Sequence, residues 1–188
     1  MEPLRVVLFL GLVFHKALWE VLKRRASDAG PIPLRPRSAK PVKVLKGLVL
    51  TFLVGQTLFL DLFPISDEPT GLRIIGTVIY FLGLGTAVLG RLQLGKNWVD
   101  LEDYGVLPQQ ALVTTGIYRY IRHPIYTGDL LLLWGLELAL NSWLVLGIGI
   151  PLAVVIRQAL AEEGVLARAF PGYEEYRART KRFIPFLV

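Results

Sequence analysis

The sequence predicts an all-α integral membrane protein with about five transmembrane helices. Hydrophobic residues make up 53% of the 188, charged residues only 19%, and mean hydropathy is +0.50. A water-soluble domain of this length has no interior large enough for that excess of apolar side chains. The apolar residues also gather into runs approaching the ~20 residues that cross a bilayer as a helix. Much of the basic excess behind the formal charge of +6 lies in one segment flanking such runs, the pattern that membrane orientation produces. It therefore argues for membrane lipids and against nucleic acid as a partner. With no cysteine, disulfide frameworks, thiolate zinc sites and cysteine nucleophiles are excluded, and no other metal-ligand set stands out.

In chain order, Leu4 to Leu22 opens with the apolar run Val6 to Phe14 and then meets His15, Lys16 and Glu20. Glu2 weakens the basic start that a signal peptide needs, and Ala17-Leu18-Trp19 is a poor cleavage site. An uncleaved helix is expected, its polar residues facing neighbouring helices or the interface. From Lys23 to Lys46 eight cations face the single acid Asp28, and Pro31, Pro33, Pro36 and Pro41 forbid a continuous helix. This reads as a cytosolic loop, with the amino terminus outside. Gly47 to Phe63, helped by Val44 and Leu45, and Leu72 to Leu92 form the next two crossings. The acidic turn between them carries Asp61, Asp67 and Glu68 with Pro64 and Pro69, so the hairpin tip points away from the cytosol. Gly76, Gly83, Gly85 and Gly90 read as close-packing positions. Residues 1–92 thus form an N-terminal membrane region and 93–188 a second unit.

Gly95 to Tyr126 is amphipathic without spanning. Beyond it, Asp129 to Leu140 and Trp143 to Val155, extended to Pro124 and Ala161, form a tight hairpin about Asn141-Ser142 that begins and ends on the cytosolic side. Pro151 is expected to kink its return arm. Glu137 near the turn reads either as functional or as reaching water. The last segment, with Phe170, Tyr173, Tyr176 and Phe183 among Arg177, Arg179, Lys181 and Arg182, predicts a basic interfacial helix stopped before Pro185.

The stretch Leu112 to Gly128, L-V-T-T-G-I-Y-R-Y-I-R-H-P-I-Y-T-G, is the longest polar-aromatic cluster in this oily chain. Its tyrosines offer flat faces, Arg119 and Arg122 fixed cations, and His123 a titratable donor or acceptor, which together suit a small charged ligand. Pro124 reads as the first residue of a new helix. If the hairpin enters the membrane after His123 and leaves it near Arg157, Glu162 and Glu163 emerge beside this cluster. Adjacent carboxylates cannot share one helix face, so one should point inward and the other to solvent. The alternative reading leaves both solvated or paired with Arg157 and Arg168.

G-I-Y-R-Y-I-R-H-P-I-Y-T-G, preceded by L-V-T-T and followed by E-E-G-V-L-A-R-A-F-P-G-Y-E-E-Y and then I-P, resembles the isoprenylcysteine carboxyl methyltransferase and phospholipid methyltransferase group of membrane enzymes. The resemblance covers roughly Gly95 to Pro185. It implies methyl transfer from S-adenosylmethionine, bound in a cytosolic-face pocket formed by the C-terminal half, to a lipophilic or lipidated acceptor, a prenylcysteine-like carboxylate or a lipid amine. It makes 93–188 the catalytic region and places the protein in a prokaryotic plasma membrane.

Carried over position by position, the cofactor contacts implied are Gln110, Leu112, Val113, Tyr118, His123, Pro124, Ile125, Tyr126 and Glu162, with Glu163 as the solvent-facing neighbour. Gln110 stands where eukaryotic prenylcysteine enzymes have histidine. Gln158 stands where they place a substrate-binding arginine, with Arg157 beside it, so Arg157 is the candidate catalytic and substrate-anchoring cation and Gln158 its neighbour in acceptor binding. Leu131, Trp134 and Leu138 are expected to line the acceptor's entry from the bilayer. Two other readings compete. A sterol-reductase-like NADPH enzyme shares a similar C-terminal hairpin but tends to have Asn where this chain has Ile125. A non-catalytic membrane scaffold leaves the paired polar patches unexplained.

Overall fold

In the computed structural model, the described residues are 2–25, 32–33, 39–98, 105–106 and 110–185. They form helices α1 (Pro3–Arg25), α2 (Ala39–Phe59), α3 (Thr70–Leu94), α4 (Pro124–Ala139), α5 (Gly149–Ala169) and α6 (Tyr173–Arg179). Short 3-10 segments cover Gly95–Asn97, Gly116–Arg119 and Trp143–Ile148, and Ile32–Pro33 pairs antiparallel with Gly105–Val106. Most of the basic loop expected between Lys23 and Lys46 lies outside the described residues. Among the described residues the regular structure is therefore helical apart from that two-residue ladder.

Two helical stretches, Thr70–Asn97 and Trp143–Ala169, are long and apolar enough to cross a membrane, and Val44–Phe59 is a shorter apolar one. At 1.5 Å per residue α3 alone reaches about 37 Å, beyond the ~30 Å hydrocarbon layer. The outward faces are apolar: Leu48, Phe52, Ile74, Leu82, Ile150 and Val154 are all exposed, which only a lipid-like surrounding makes favourable.

The bundle is organised by α3 against α4. Gly76 and Gly83 on α3 and Gly128 and Gly135 on α4 recur every seven residues, and at each a Cβ would run into the backbone of the facing helix. Bare backbones in contact are the solution that helices in lipid use when no hydrophobic effect drives them together. Gly90 meets the side chains of Pro124 and Ile125, whereas Gly85, expected to share this surface, faces open space. Around the seam lie Leu8, Leu12, Tyr80, Leu84, Leu132, Leu136, Ala139 and Leu140, with the Tyr80 hydroxyl donating to the Leu8 carbonyl at 2.8 Å.

Of the polar residues expected to face neighbouring helices or the interface, His15 meets another helix while Lys16 and Glu20 pair with each other on α1. Arg5 donates to the Gln56, Thr57 and Leu60 carbonyls at the end of α2 and meets the Asp61 carboxylate. His15 stacks on Trp19 and lies 3.0 Å from Asp129 on α4. Arg5 thus caps the end of α2, which stops at Phe59 rather than Phe63. The two hairpin tips share one end of the bundle. Asn141 exchanges hydrogen bonds with the Ser66 backbone at 3.1 and 2.7 Å, and Trp143 N donates to Phe63 O at 2.9 Å. Glu137 is buried here and accepts from Gln56 Nε2 at 2.7 Å, so it does not reach water.

The return arm differs from expectation. It starts as a 3-10 segment and becomes α-helical at Gly149, continuing to Ala169. Pro151, expected to kink the arm, sits in the first turn of α5, just past the change from 3-10 to α-helix. Pro124 does begin α4.

Candidate active site

At the end of the bundle opposite the hairpin tips, the chain leaves α3 through Gly95, whose φ is +56°, and later returns along Gln110 to Thr114, which belong to no helix or strand. Asn97 holds this return by accepting from the Ala111 N–H at 2.8 Å. Gly116, at φ +62°, lies against the Gln93 amide, which accepts from the Ile117 N–H at 2.7 Å. That positive φ and the absent side chain let the 3-10 turn Gly116–Arg119 pack on α3. Tyr118 is thereby buried, its hydroxyl donating to Gly90 O at 3.2 Å.

The C-terminal residues strap this loop down. Arg122 N and His123 N donate to the carbonyls of Lys181 and Arg182, and Lys181 N donates back to Tyr120 O. Thr127 Oγ1 donates to Phe183 O at 3.0 Å. Tyr176 donates its hydroxyl to Tyr118 O at 2.8 Å. The helix expected in this basic-aromatic segment is α6, with Tyr173 and Tyr176 buried, and it ends at Arg179, before the extended Thr180.

These elements and α5 surround a cleft holding ≈ 1020 Å³ of space, open solvent at its mouth included. Gln158, Glu162, Val165 and Leu166 recur at helical spacing as one stripe of α5 facing it, and Leu112, Val113, Tyr118, Ile125, Tyr126, Phe170 and Tyr173 make much of the apolar and aromatic wall. Gln110 and His123 also line it. Of the nine residues implied as cofactor contacts, Pro124 alone is outside the lining; it packs against Gly90 instead. Arg157 is exposed and outside the lining while Gln158 is inside it. Leu131 lies against Gly83 in the α3–α4 seam, and Trp134, 44% exposed, is on the outer surface of α4.

The two glutamates divide the work differently from expectation. Glu163, expected to face solvent, is buried with its side chain 5% exposed. It accepts from Arg122 Nε at 3.0 Å, from Arg182 Nε and Nη2 at 3.0 Å each, and meets His123 Nε2 at 3.1 Å. It shares the inward face of α5 with Ala159, four residues earlier and also buried. That spacing was the signal available in the sequence. The strap's Arg182, reachable only once the tail folds back, was not legible. Glu162 lines the cleft with its side chain 41% exposed, accepts from the Tyr126 hydroxyl at 2.9 Å and stands 3.8 Å from His123 Nδ1. His123 therefore sits between a structural carboxylate and a cleft carboxylate, stacked on Tyr126 at 5.3 Å.

Electrostatically, Arg122 and Arg182 share the single carboxylate of Glu163, and Glu162 is the carboxylate available to the cleft among the described residues. Burial pushes the Tyr118 hydroxyl well above the ordinary tyrosine range, helped by the Glu162 charge, and raises Tyr176 to about 12. Both stay protonated donors. A cleft of this kind, aromatic faces around one accessible anion, suits an amphiphilic cation with an aromatic end. Arg91 was not anticipated: it is 1% exposed, donates to Gly95 O at 2.8 Å and lies 4.4 Å over the Trp98 ring, bracing the cleft's far wall.

Residues 72–172 match the profile of the phospholipid methyltransferase family. The chain is 38% identical over 111 residues to the cobalt-zinc-cadmium resistance protein CzcN of Cupriavidus metallidurans, covering 56% of this chain and 47% of that protein. It is 27% identical over 135 residues to a methanethiol S-methyltransferase of Crocosphaera subtropica (72% and 49%) and 27% identical over 129 residues to a probable protein-S-isoprenylcysteine O-methyltransferase of Oryza sativa (67% and 68%). The chain spans about half the length of the first two of these. Its fold is similar to that of the eukaryotic intramembrane Ras methyltransferase, an isoprenylcysteine carboxyl methyltransferase, with a TM-score of 0.64 at 19% identity over 100% of this chain and 69% of that one.

Proposed function

This chain belongs to the phospholipid methyltransferase family, as the motifs around Tyr118 and Glu162 implied, and on that premise we propose that it is an S-adenosylmethionine-dependent membrane methyltransferase acting on a lipophilic acceptor. The observation that carries the reading is the cleft itself: an aromatic and aliphatic wall, side-chain amides and one accessible carboxylate, all supplied by residues 94–176. That donor set fits the cofactor. Adenine takes an apolar and aromatic slot such as Tyr118 with Leu112, Val113 and Ile125, the cationic parts take Glu162 and the tyrosine faces, and Gln110 and His123 add hydrogen bonds. Pro124 contributes by fixing the start of α4 against Gly90 rather than by contact.

When bound, S-adenosylmethionine supplies a methyl group on a sulfonium, an electrophile that needs no further activation. The protein's part is to align the acceptor and exclude water. Gln158 is the polar group of α5 that an acceptor meets inside the cleft. Arg157, its exposed neighbour in sequence, is the cation that would hold an anionic acceptor. A carboxylate acceptor needs no base, whereas an amine must lose a proton, and Glu162, hydrogen-bonded to Tyr126, is the cleft carboxylate able to take it. The acceptor reaches the site from the bilayer, past the outer face of α4 at Trp134 and Leu138 with Leu131 at its seam, while the cofactor enters from the cytosol. The same reading has about five membrane-crossing helices and a site facing the cytosol, the side to which the basic loops are assigned, in a prokaryotic plasma membrane.

The test is methyl transfer from methyl-labelled cofactor into a lipid extract by the purified protein in detergent. Label should appear in an organic-soluble product and vanish when Glu162→Gln is used. Label appearing only in water-soluble, tailless products would defeat the reading.

A further inference from the structure

Four tyrosines line the cleft: Tyr118, Tyr126, Tyr173 and Tyr176. Three of their hydroxyls are engaged. Tyr118 donates to Gly90 O, Tyr126 to Glu162 and Tyr176 to Tyr118 O. The fourth, Tyr173, is 1% exposed, and its hydroxyl has no hydrogen-bond partner among the described residues. Such a hydroxyl is costly to bury unless something completes it.

The ring is held firmly. Tyr173 opens α6, its N–H donating to Phe170 O at 3.0 Å across the turn that leaves α5, and its ring packs edge-on against Tyr176 at 6.0 Å. Burial raises the hydroxyl's pKa well above the ordinary tyrosine range, and the charges of Glu163 and Glu162 push it further the same way. The group is therefore an O–H donor throughout the physiological range. Tyr173 and Glu162 both line the cleft.

We propose that Tyr173 is a cofactor-binding residue whose hydroxyl donates to the α-carboxylate of the bound cofactor, while Glu162 takes the α-ammonium. This rests on the reading of the cleft as an S-adenosylmethionine site. The chemistry selects that end of the molecule: ammonium and carboxylate leave the same carbon, so an anion and a donor side by side match them as a pair. Arg122 and Arg182, the nearby cations, both hold Glu163, whereas the Tyr173 hydroxyl is a donor in the cleft lining with no partner among the described residues.

Calorimetry on the full chain in detergent tests this with S-adenosylhomocysteine and with its decarboxylated analogue, which keeps the adenosine, the thioether and the amine. Wild type should bind the analogue roughly ten- to a hundredfold more weakly, the range for losing a hydrogen bond to a charged group. Tyr173→Phe should weaken S-adenosylhomocysteine by a similar factor while leaving the analogue's affinity unchanged. Its ligand-free melting temperature should not fall, because the hydroxyl removed has no partner to lose. An unaltered affinity for S-adenosylhomocysteine in Tyr173→Phe, or equal losses for both ligands, overturns the assignment. So does wild type binding both ligands equally, a result that does not depend on the variant. Absence of any S-adenosylhomocysteine binding to wild type would instead remove the underlying cofactor reading, and this proposal with it.

Discussion

Replacing Glu163 by Gln should unfold the active-site end of the molecule without being a binding defect in origin. The carboxylate holds Arg122, His123 and both donor atoms of Arg182 within 3.0 to 3.1 Å, and through them it ties the loop before α4 to the C-terminal strap. Removing one partner of a buried ion pair costs about 3–5 kcal/mol, because the other charge is left uncompensated. Arg122 is nearly buried and bears that cost, but Arg182 is 22% exposed, so water screens its share and the lower end of the range applies. For a chain of this length each kcal/mol moves the melting temperature by roughly 2–4 °C. A loss of about 3 kcal/mol then lowers it by about 6–12 °C. Glu162→Gln should behave in the opposite sense. Its carboxylate is partly solvated, so the ligand-free protein should melt within about 2 °C of wild type, while S-adenosylhomocysteine binding weakens by ~1–3 kcal/mol. Melting curves in detergent micelles, with and without S-adenosylhomocysteine, separate the two. A Glu163→Gln protein as stable as wild type, or a larger stability loss from Glu162→Gln, would refute this division of roles.

Three further outcomes follow from the fold. Gly83→Ala should cost ~1–3 kcal/mol in thermal unfolding, since its Cβ meets the α4 backbone and the helices must part; Gly85→Ala, facing open space, should be neutral or slightly stabilising. Arg5→Met should destabilise by roughly 1–3 kcal/mol through the α2 carbonyls it leaves unpaired, whereas Asp61→Asn should do little because that carboxylate is 79% exposed. Single cysteines at Asp67 and Lys181, introduced into a chain with none, should react with impermeant reagent from opposite sides of the membrane; labelling from the same side would break the proposed topology.

Much of this was legible in the sequence because hydropathy and turn chemistry are local. Pro124 marked the start of α4, Asn141-Ser142 marked a turn, and the acidic stretch at Asp67 and Glu68 marked the other tip. Gly76 and Gly83 announced a packing face. Local signals failed where a tertiary contact decided the outcome. Gly85 has the same chemistry as Gly83 but points elsewhere, because only a seven-residue spacing meets α4. The end of α2 is capped by Arg5, some fifty residues away, which no local signal announces. Glu162 and Glu163 are chemically identical neighbours, and only the return of Arg182 across the loop makes the second a structural anchor and leaves the first in the cleft. Tyr173 read as part of an interfacial helix, since nothing in its surroundings along the chain tells a lipid-facing ring from one lining a cavity.

The central claim, that the cleft beneath the C-terminal strap is a site for S-adenosylmethionine, is tested most directly by titrating purified protein with S-adenosylhomocysteine and separately with NADPH. The account predicts saturable, one-to-one heat with S-adenosylhomocysteine, weakened in Glu162→Gln, and none with NADPH. Saturable NADPH binding without S-adenosylhomocysteine binding would contradict it and favour a membrane reductase.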